Sequence, residues 1–223
     1  MHFSKIYFCS SNSIIFYIII KFYPIFNIYD NLGFVQLSNF QPNNWEKIRA
    51  GDKNLFSYHT NGNNWEVNFL GNVCQNQFKC FQSSDFTAIS GQDIDNVRIE
   101  ELVLIDLRQD KLADIILELP KISSPSTVWP EWRATIGFKN EDSRVSYQGE
   151  ILPFPTKASL LTFHPFIQFG EVINNLLVLN VTSDPKIQKG EISFFNSMDK
   201  SFVAKADIST NSLTTIPLDA YNF

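Results

Sequence analysis

Residues 129–152 read WPEWRATIGFKNEDSRVSYQGEIL. Apolar and polar side chains alternate on both sides of the polar run Lys139-Asn140-Glu141-Asp142, the period-two signature of two strands joined by a turn. With those four residues as the loop, Phe138 faces Ser143 and the numbers of facing residues sum to 281. Glu131 then lies opposite Glu150, Arg133 opposite Gln148, and Gly137 opposite Arg144. These polar residues share one face, and Trp132, Ala134, Ile136, Phe138, Val145, Tyr147 and Ile151 share the other. Burying a large apolar side chain stabilises by about 1.5–3 kcal/mol, whereas an exposed ion pair contributes about 0–1 kcal/mol. The apolar face is therefore expected to turn inward.

The sequence on either side of the hairpin repeats the pattern. Downstream, residues 159–169 contain Pro165, which cannot donate to a ladder and implies an edge strand or a bulge. The continuous apolar run in residues 175–182 is expected to be a central strand covered on both faces. Residues 191–196 and 201–208 form a second hairpin around Ser197-Met198-Asp199-Lys200, with Ile192, Phe194, Phe202, Ala204, Ala206 and Ile208 on one parity. Residues 213–218 are suited to closing a sheet. Upstream, residues 97–119 admit a helix, because apolar residues recur through VRIEELVLIDLRQDKLADIILEL. The β-rich runs 102–107 and 115–119 around the turn-like Arg108-Gln109-Asp110-Lys111 favour a hairpin instead.

Seven or more short strands without convincing crossover helices predict an all-β fold, an antiparallel β-sandwich or jelly roll. The polar stretch 83–96 (SSDFTAISGQDIDN) is the best boundary candidate. It would divide a small β-rich N-terminal subdomain, residues 30–90, from a sandwich portion, residues 91–223, unless the two are continuous. Within the first portion, Asn43-Asn44-Trp45-Glu46 with Gly51 recurs as Asn63-Asn64-Trp65-Glu66 with Gly71, a period of 20 residues. Two copies fall short of the three or so that a repeat array needs. Two hairpins, each with an Asn-rich turn feeding a strand, are the expected meaning, with residues 65–70 alternating as a half-buried strand.

Residues 1–29 stand apart, with no Ala, Gly, Val, Leu, Asp, Glu, Arg or Thr. A secretory signal would require small residues after the apolar run 14–20, where Lys21 and Phe22 stand instead. A membrane anchor would require about 18 continuous apolar residues, which the polar run 10–13 and Lys21 interrupt. Phe, Ile, Tyr, Asn, Lys and Ser are also what AT-rich DNA encodes, so an early-placed start is the third reading of this segment. Attachment to a membrane is left open, and a cell-envelope or extracellular setting is the favoured compartment.

The net charge is −5 and the pI is about 5.2, which argues against nucleic acid as a partner. Cys74 and Cys80 are spaced so that a small hairpin disulfide or two free thiols would serve, and no Cys/His set has zinc-ligand spacing. No phosphate loop, nucleophile elbow or metal-protease motif is present, so no cofactor, metal or catalytic residue is expected. His164, between Phe163 and Pro165, reads as a packed residue, and the Asn180-Val181-Thr182 sequon falls in a predicted strand. What remains is the polar face of the opening hairpin. Trp129 has the parity to serve as a stacking surface, with Glu131, Arg133, Arg144, Gln148 and Glu150 as hydrogen-bonding groups for a sugar. The expected function is a non-catalytic binding module for glycan or for another protein. The competing readings are a glycan-active enzyme using Glu131 with Glu150 or Asp142, and a structural interaction domain.

Overall fold

The computed structural model describes residues 6–8, 14–16, 22–39, 52–86, 91–94, 97–108, 110–120, 133–147, 173–196 and 198–221. Their strands are β1 (Ile6–Phe8), β2 (Ile14–Phe16), β3 (Tyr23–Ile25), β4 (Leu32–Asn39), β5 (Lys53–Thr60), β6 (Trp65–Val73), β7 (Gln77–Gln82), β8 (Gly91–Ile94) and β9 (Val97–Glu101). They continue with β10 (Val103–Arg108), β11 (Ile115–Ile116), β12 (Arg133–Lys139), β13 (Arg144–Tyr147), β14 (Asn175–Leu179), β15 (Lys189–Phe195), β16 (Phe202–Ser209) and β17 (Ser212–Pro217). Every strand pairing among the described residues is antiparallel, and the fold is all-β. No helix of the described residues is long and apolar enough to cross a membrane.

The organising layer is a five-stranded sheet in the order β11-β6-β5-β10-β3. Its strand β10 is buried at every position because both faces are covered, with Asp106 and Arg108 the charged residues among its apolar ones. Val103, Ile105 and Leu107 turn to one side and meet Val35, Leu37, Ala134 and Ile136 of a four-stranded sheet, β13-β12-β4-β7. Leu104 turns to the other side and joins Phe56, Tyr58, Trp65 and Val67 in a core that also takes Leu177, Leu179, Val181 and Leu213. These last residues belong to, or directly follow, strands of a second four-stranded sheet, β14-β17-β9-β8. On its far side Leu176, Val178 and Ile216 pack with Ile192, Phe194 and Ala206 of the β15–β16 hairpin.

Loop 180–186 ties the layers together. Ser183 O accepts hydrogen bonds from Trp65 Nε1 and Leu119 N, and Pro185 O accepts one from the Thr60 hydroxyl. Asn211, at φ 55°, holds the loop from the β16–β17 turn: its carboxamide accepts from Thr182 N and donates to Asp184 O and Lys186 O. The sequon threonine, Thr182, is buried in this arrangement.

Several expectations change in detail. The hairpin of β12 and β13 pairs Lys139 with Arg144 and Phe138 with Val145, so facing numbers sum to 283 rather than 281. The cause is Asn140, whose Oδ1 accepts from Asp142 N, Ser143 N and the Ser143 hydroxyl, making Asn140–Ser143 the loop and returning Lys139 to the ladder. A shift of two leaves each residue on its expected face. Ala134, Ile136 and Phe138 are buried accordingly, but Val145 is 60% exposed because β13 is the edge of its sheet.

Residues 97–108 are strand and not helix, yet β10 and β11 do not form a hairpin: β5 and β6 lie between them. Among the described residues β14 pairs on one side only, with β17, and its apolar run answers to two covered faces. β17, expected to close a sheet, instead lies inside one, between β14 and β9. The β15–β16 hairpin has the expected parity except at Phe202. There a bulge between Phe194 and Phe195 pairs Phe202 with Phe195, and both are exposed. The second Asn-Trp copy is a hairpin turn with Gly62 at φ 86°, feeding β6, whereas the first copy and residues 159–169 lie outside the described residues.

Residues 22–26, within the compositionally unusual N-terminal segment, are part of the core. β3 pairs with β10, and Phe22, Tyr23, Ile25 and Phe26 are all essentially inaccessible. Strands from either side of residue 90 also share sheets: β10 pairs with β5, and β12 with β4.

Candidate functional site

The outer face of the β13-β12-β4-β7 sheet carries the described part of the polar hairpin face. Cross-strand register places Lys139 and Arg144 together, Gly137 beside Phe34, and Thr135 beside Gln36. β7 adds Gln82 beside Phe34, Cys80 beside Gln36 and the exposed Phe78 beside Ser38.

Phe34 is an aromatic residue on an outward face, yet it is only 2% exposed. Two neighbours bury it. Gly137 offers no side chain, and a Cβ there would stand 2.5 Å from the Phe34 ring and closer still to the Val145 carbonyl oxygen. The ring occupies that space, and the Arg144 guanidinium lies over it with Cζ 4.1 Å from the centroid. Such a cation–π contact is worth about 0.5–1 kcal/mol at an exposed site, enough to bias a flexible side chain towards one position.

Of the expected ligand-binding residues, Arg144 is exposed at the edge of this face and Arg133 is the first residue of β12, paired with Ser38. Trp129, Glu131, Gln148 and Glu150 lie outside the described residues. Asp142 is exposed in the Asn140–Ser143 loop. The sequence does not nominate Lys139 or Phe34. Its turn pattern assigns Lys139 to the loop, and nothing near Phe34 in the chain signals that its partner is the glycine of a distant strand.

The strongest electrostatic perturbation lies elsewhere, inside the stack. Asp106 and Arg108 of β10 project beside Tyr58 of β5, and all three are buried. The Tyr58 hydroxyl donates to Asp106 Oδ1 at 2.9 Å, Arg108 Nη1 reaches the Tyr58 oxygen at 3.4 Å, and Arg108 Nη2 pairs with Asp110. Asp106 Oδ2 is buried without a hydrogen-bond partner, with Arg108 Nη1 3.9 Å away.

Burial pushes the Asp106 carboxyl up to about 7, against smaller downward pulls from Arg108 and the Tyr58 hydrogen bond. Burial, and then the nearby Asp106 charge, raises the Tyr58 phenol well above its ordinary range, so it remains a donor. For Arg108, burial favours the neutral form, but its bonds and charge pairing with Asp110, Tyr58 and Asp106 outweigh that and hold it protonated. Asp-x-Arg inside an apolar strand is the available sequence signal. All three side chains are buried, and their hydrogen bonds link β10 to β5 inside the stack.

Burial also lowers the Lys53 ammonium to about 8. Cys74 and Cys80 are free and exposed. Among the described residues no group of three His, Cys, Asp or Glu side chains is placed to hold a metal ion. His59 sits half-buried in β5 opposite Glu66, and His164 lies outside the described residues. No protein-family model, curated protein or solved structure matches the chain.

Proposed function

We propose that the protein is a non-catalytic binding module whose ligand, a carbohydrate, lies along the outer face of the β13-β12-β4-β7 sheet. The observation that carries this reading is the Arg144 guanidinium lying over the Phe34 ring on a sheet face that mixes polar side chains with exposed Phe78. Extended sugar chains present alternating hydroxyl edges and apolar ring faces. A sheet face that presents polar side chains with an aromatic such as Phe78 suits them. A glycosidase would have to enclose the scissile bond between two carboxylates about 5–10 Å apart, and an open sheet face is poorly suited to excluding water from such a bond.

A glycan array probed with the wild type, Trp129→Ala and Arg144→Ala tests the proposal. Binding of a defined glycan set, weakened by either substitution in a natively folded protein, is the expected result. Binding indifferent to both substitutions would move the site off this face, and the absence of any glycan binding would refute the reading.

A further inference from the structure

Lys139 and Arg144 are directly opposite one another across β12 and β13 and share the outer face. Facing like charges on neighbouring strands destabilise a sheet, because the paired positions bring the Cβ atoms to about 4.5–5.5 Å. The chain as a whole is acidic, with a net charge of −5, so this local pair of cations is not a by-product of general basicity. Among the described residues neither Lys139 nor Arg144 has a carboxylate within ion-pairing distance, whereas Lys186, Lys205 and Arg108 each do.

The guanidinium is also positioned. Gly137 leaves room for the Phe34 ring, and the Arg144 guanidinium lies over that ring with Cζ 4.1 Å from its centroid. That arrangement leaves the edge of the guanidinium, where its N–H groups lie, for an incoming group. A planar fork of N–H donors matches the two oxygens of a carboxylate, and the Lys139 ammonium supplies a second charge from the facing strand.

We infer that the ligand of this face is a carboxylated glycan, with a uronate group held between Arg144 and Lys139. The inference rests on the carbohydrate reading of the face and adds the chemical class of the sugar. Because the stacked guanidinium is held before the ligand arrives, little of the binding energy is spent on ordering it.

Titration calorimetry of the full chain with oligogalacturonates and with neutral cello-oligosaccharides separates the two levels of the argument. Acidic oligomers should bind and neutral ones should bind markedly more weakly, with the preference shrinking as salt is raised. A hydrogen bond to a charged group is worth about 1.5–3 kcal/mol, so Arg144→Gln should weaken uronate binding about tenfold or more. Lys139→Gln should weaken it less, and Arg144→Lys, which keeps the charge without the fork, should recover part of the loss. Circular dichroism of each variant verifies the fold. Equal affinity for acidic and neutral oligomers, or unchanged affinity in the folded Arg144→Gln and Lys139→Gln variants, would overturn the uronate assignment while leaving a glycan-binding face. Binding of neither oligomer would overturn both.

Discussion

Replacing Asp106 by asparagine should make the protein's stability less sensitive to a rise in pH from about 4 to neutral. In the folded chain burial raises the Asp106 carboxyl from its ordinary 3.8 to about 7, so the native state binds this proton more tightly than the unfolded chain does. The stabilisation it provides is complete below about pH 4 and is lost as the pH rises towards 7, where the buried group must ionise. A difference of about three pK units at 1.36 kcal/mol each corresponds to about 4 kcal/mol, a large part of the 5–15 kcal/mol typical of a whole domain. The carboxamide of the Asp106→Asn variant keeps an oxygen to accept from the Tyr58 hydroxyl while removing the titration. Arg108 retains Asp110 as its partner in that variant.

Urea denaturation followed by tryptophan fluorescence, with Trp65 fully buried as one reporter, gives the stability of both proteins at steps from about pH 4 to about pH 8. Other groups titrate equally in the two, so the difference between them isolates this carboxyl. That difference should shift in favour of Asp106→Asn by up to about 4 kcal/mol across the range. A difference constant with pH would mean that Asp106 has the same proton affinity folded and unfolded, and the account of the buried trio would fail.

Three further outcomes follow from the packing. A chain beginning at residue 30 should not fold, since it lacks Phe22, Tyr23, Ile25 and Phe26; at about 1.5–3 kcal/mol each their loss approaches total stability, whereas a chain beginning at residue 21 should retain the fold. Circular dichroism with a cooperative melt checks this, and a cooperative transition in the shorter chain would contradict it. Gly137→Val should destabilise by about 1–3 kcal/mol, because its Cβ meets the Val145 carbonyl and the Phe34 ring, and calorimetric melting should show it. Asn211→Ala removes hydrogen bonds to Thr182, Asp184 and Lys186 and leaves alanine at positive φ, so a loss of about 2–3 kcal/mol and faster proteolysis within loop 180–186 are expected.

The strands are largely legible in the sequence because their period-two patterns answer to burial, which is local along the chain. Which strand lies beside which is not. The run 102–107 reads as a strand in a hairpin with 115–119, and only the assembled stack reveals that β5 and β6 separate β10 from β11. The register of the Arg144 hairpin differs from expectation by two residues, because a single asparagine side chain decides where the turn closes. The N-terminal segment misleads for a different reason: its unusual composition draws attention from the fact that Phe22-Tyr23-Pro24-Ile25-Phe26 is ordinary core material. On the outer face of the β13-β12-β4-β7 sheet, Arg144 can be nominated from parity alone. Its support by Phe34 and Gly137 arises from contact between strands about a hundred residues apart, a separation that no local pattern encodes.

The interior position of β17 bears on how the chain reaches this state during synthesis. Leu213 pairs with Glu100 on one side and Leu179 on the other, so two strands made earlier wait for a late one before their sheet exists. Until β17 leaves the ribosome, β9 and β14 each keep the strand edge that it will pair with unsatisfied. Topologies dominated by such distant pairings fold slowly, in milliseconds to seconds, and expose sticky edges meanwhile. The nascent protein therefore passes through a period of vulnerability to mispairing with its neighbours on the polysome, and its yield in a cell should depend on chaperone capacity more than its finished stability would suggest.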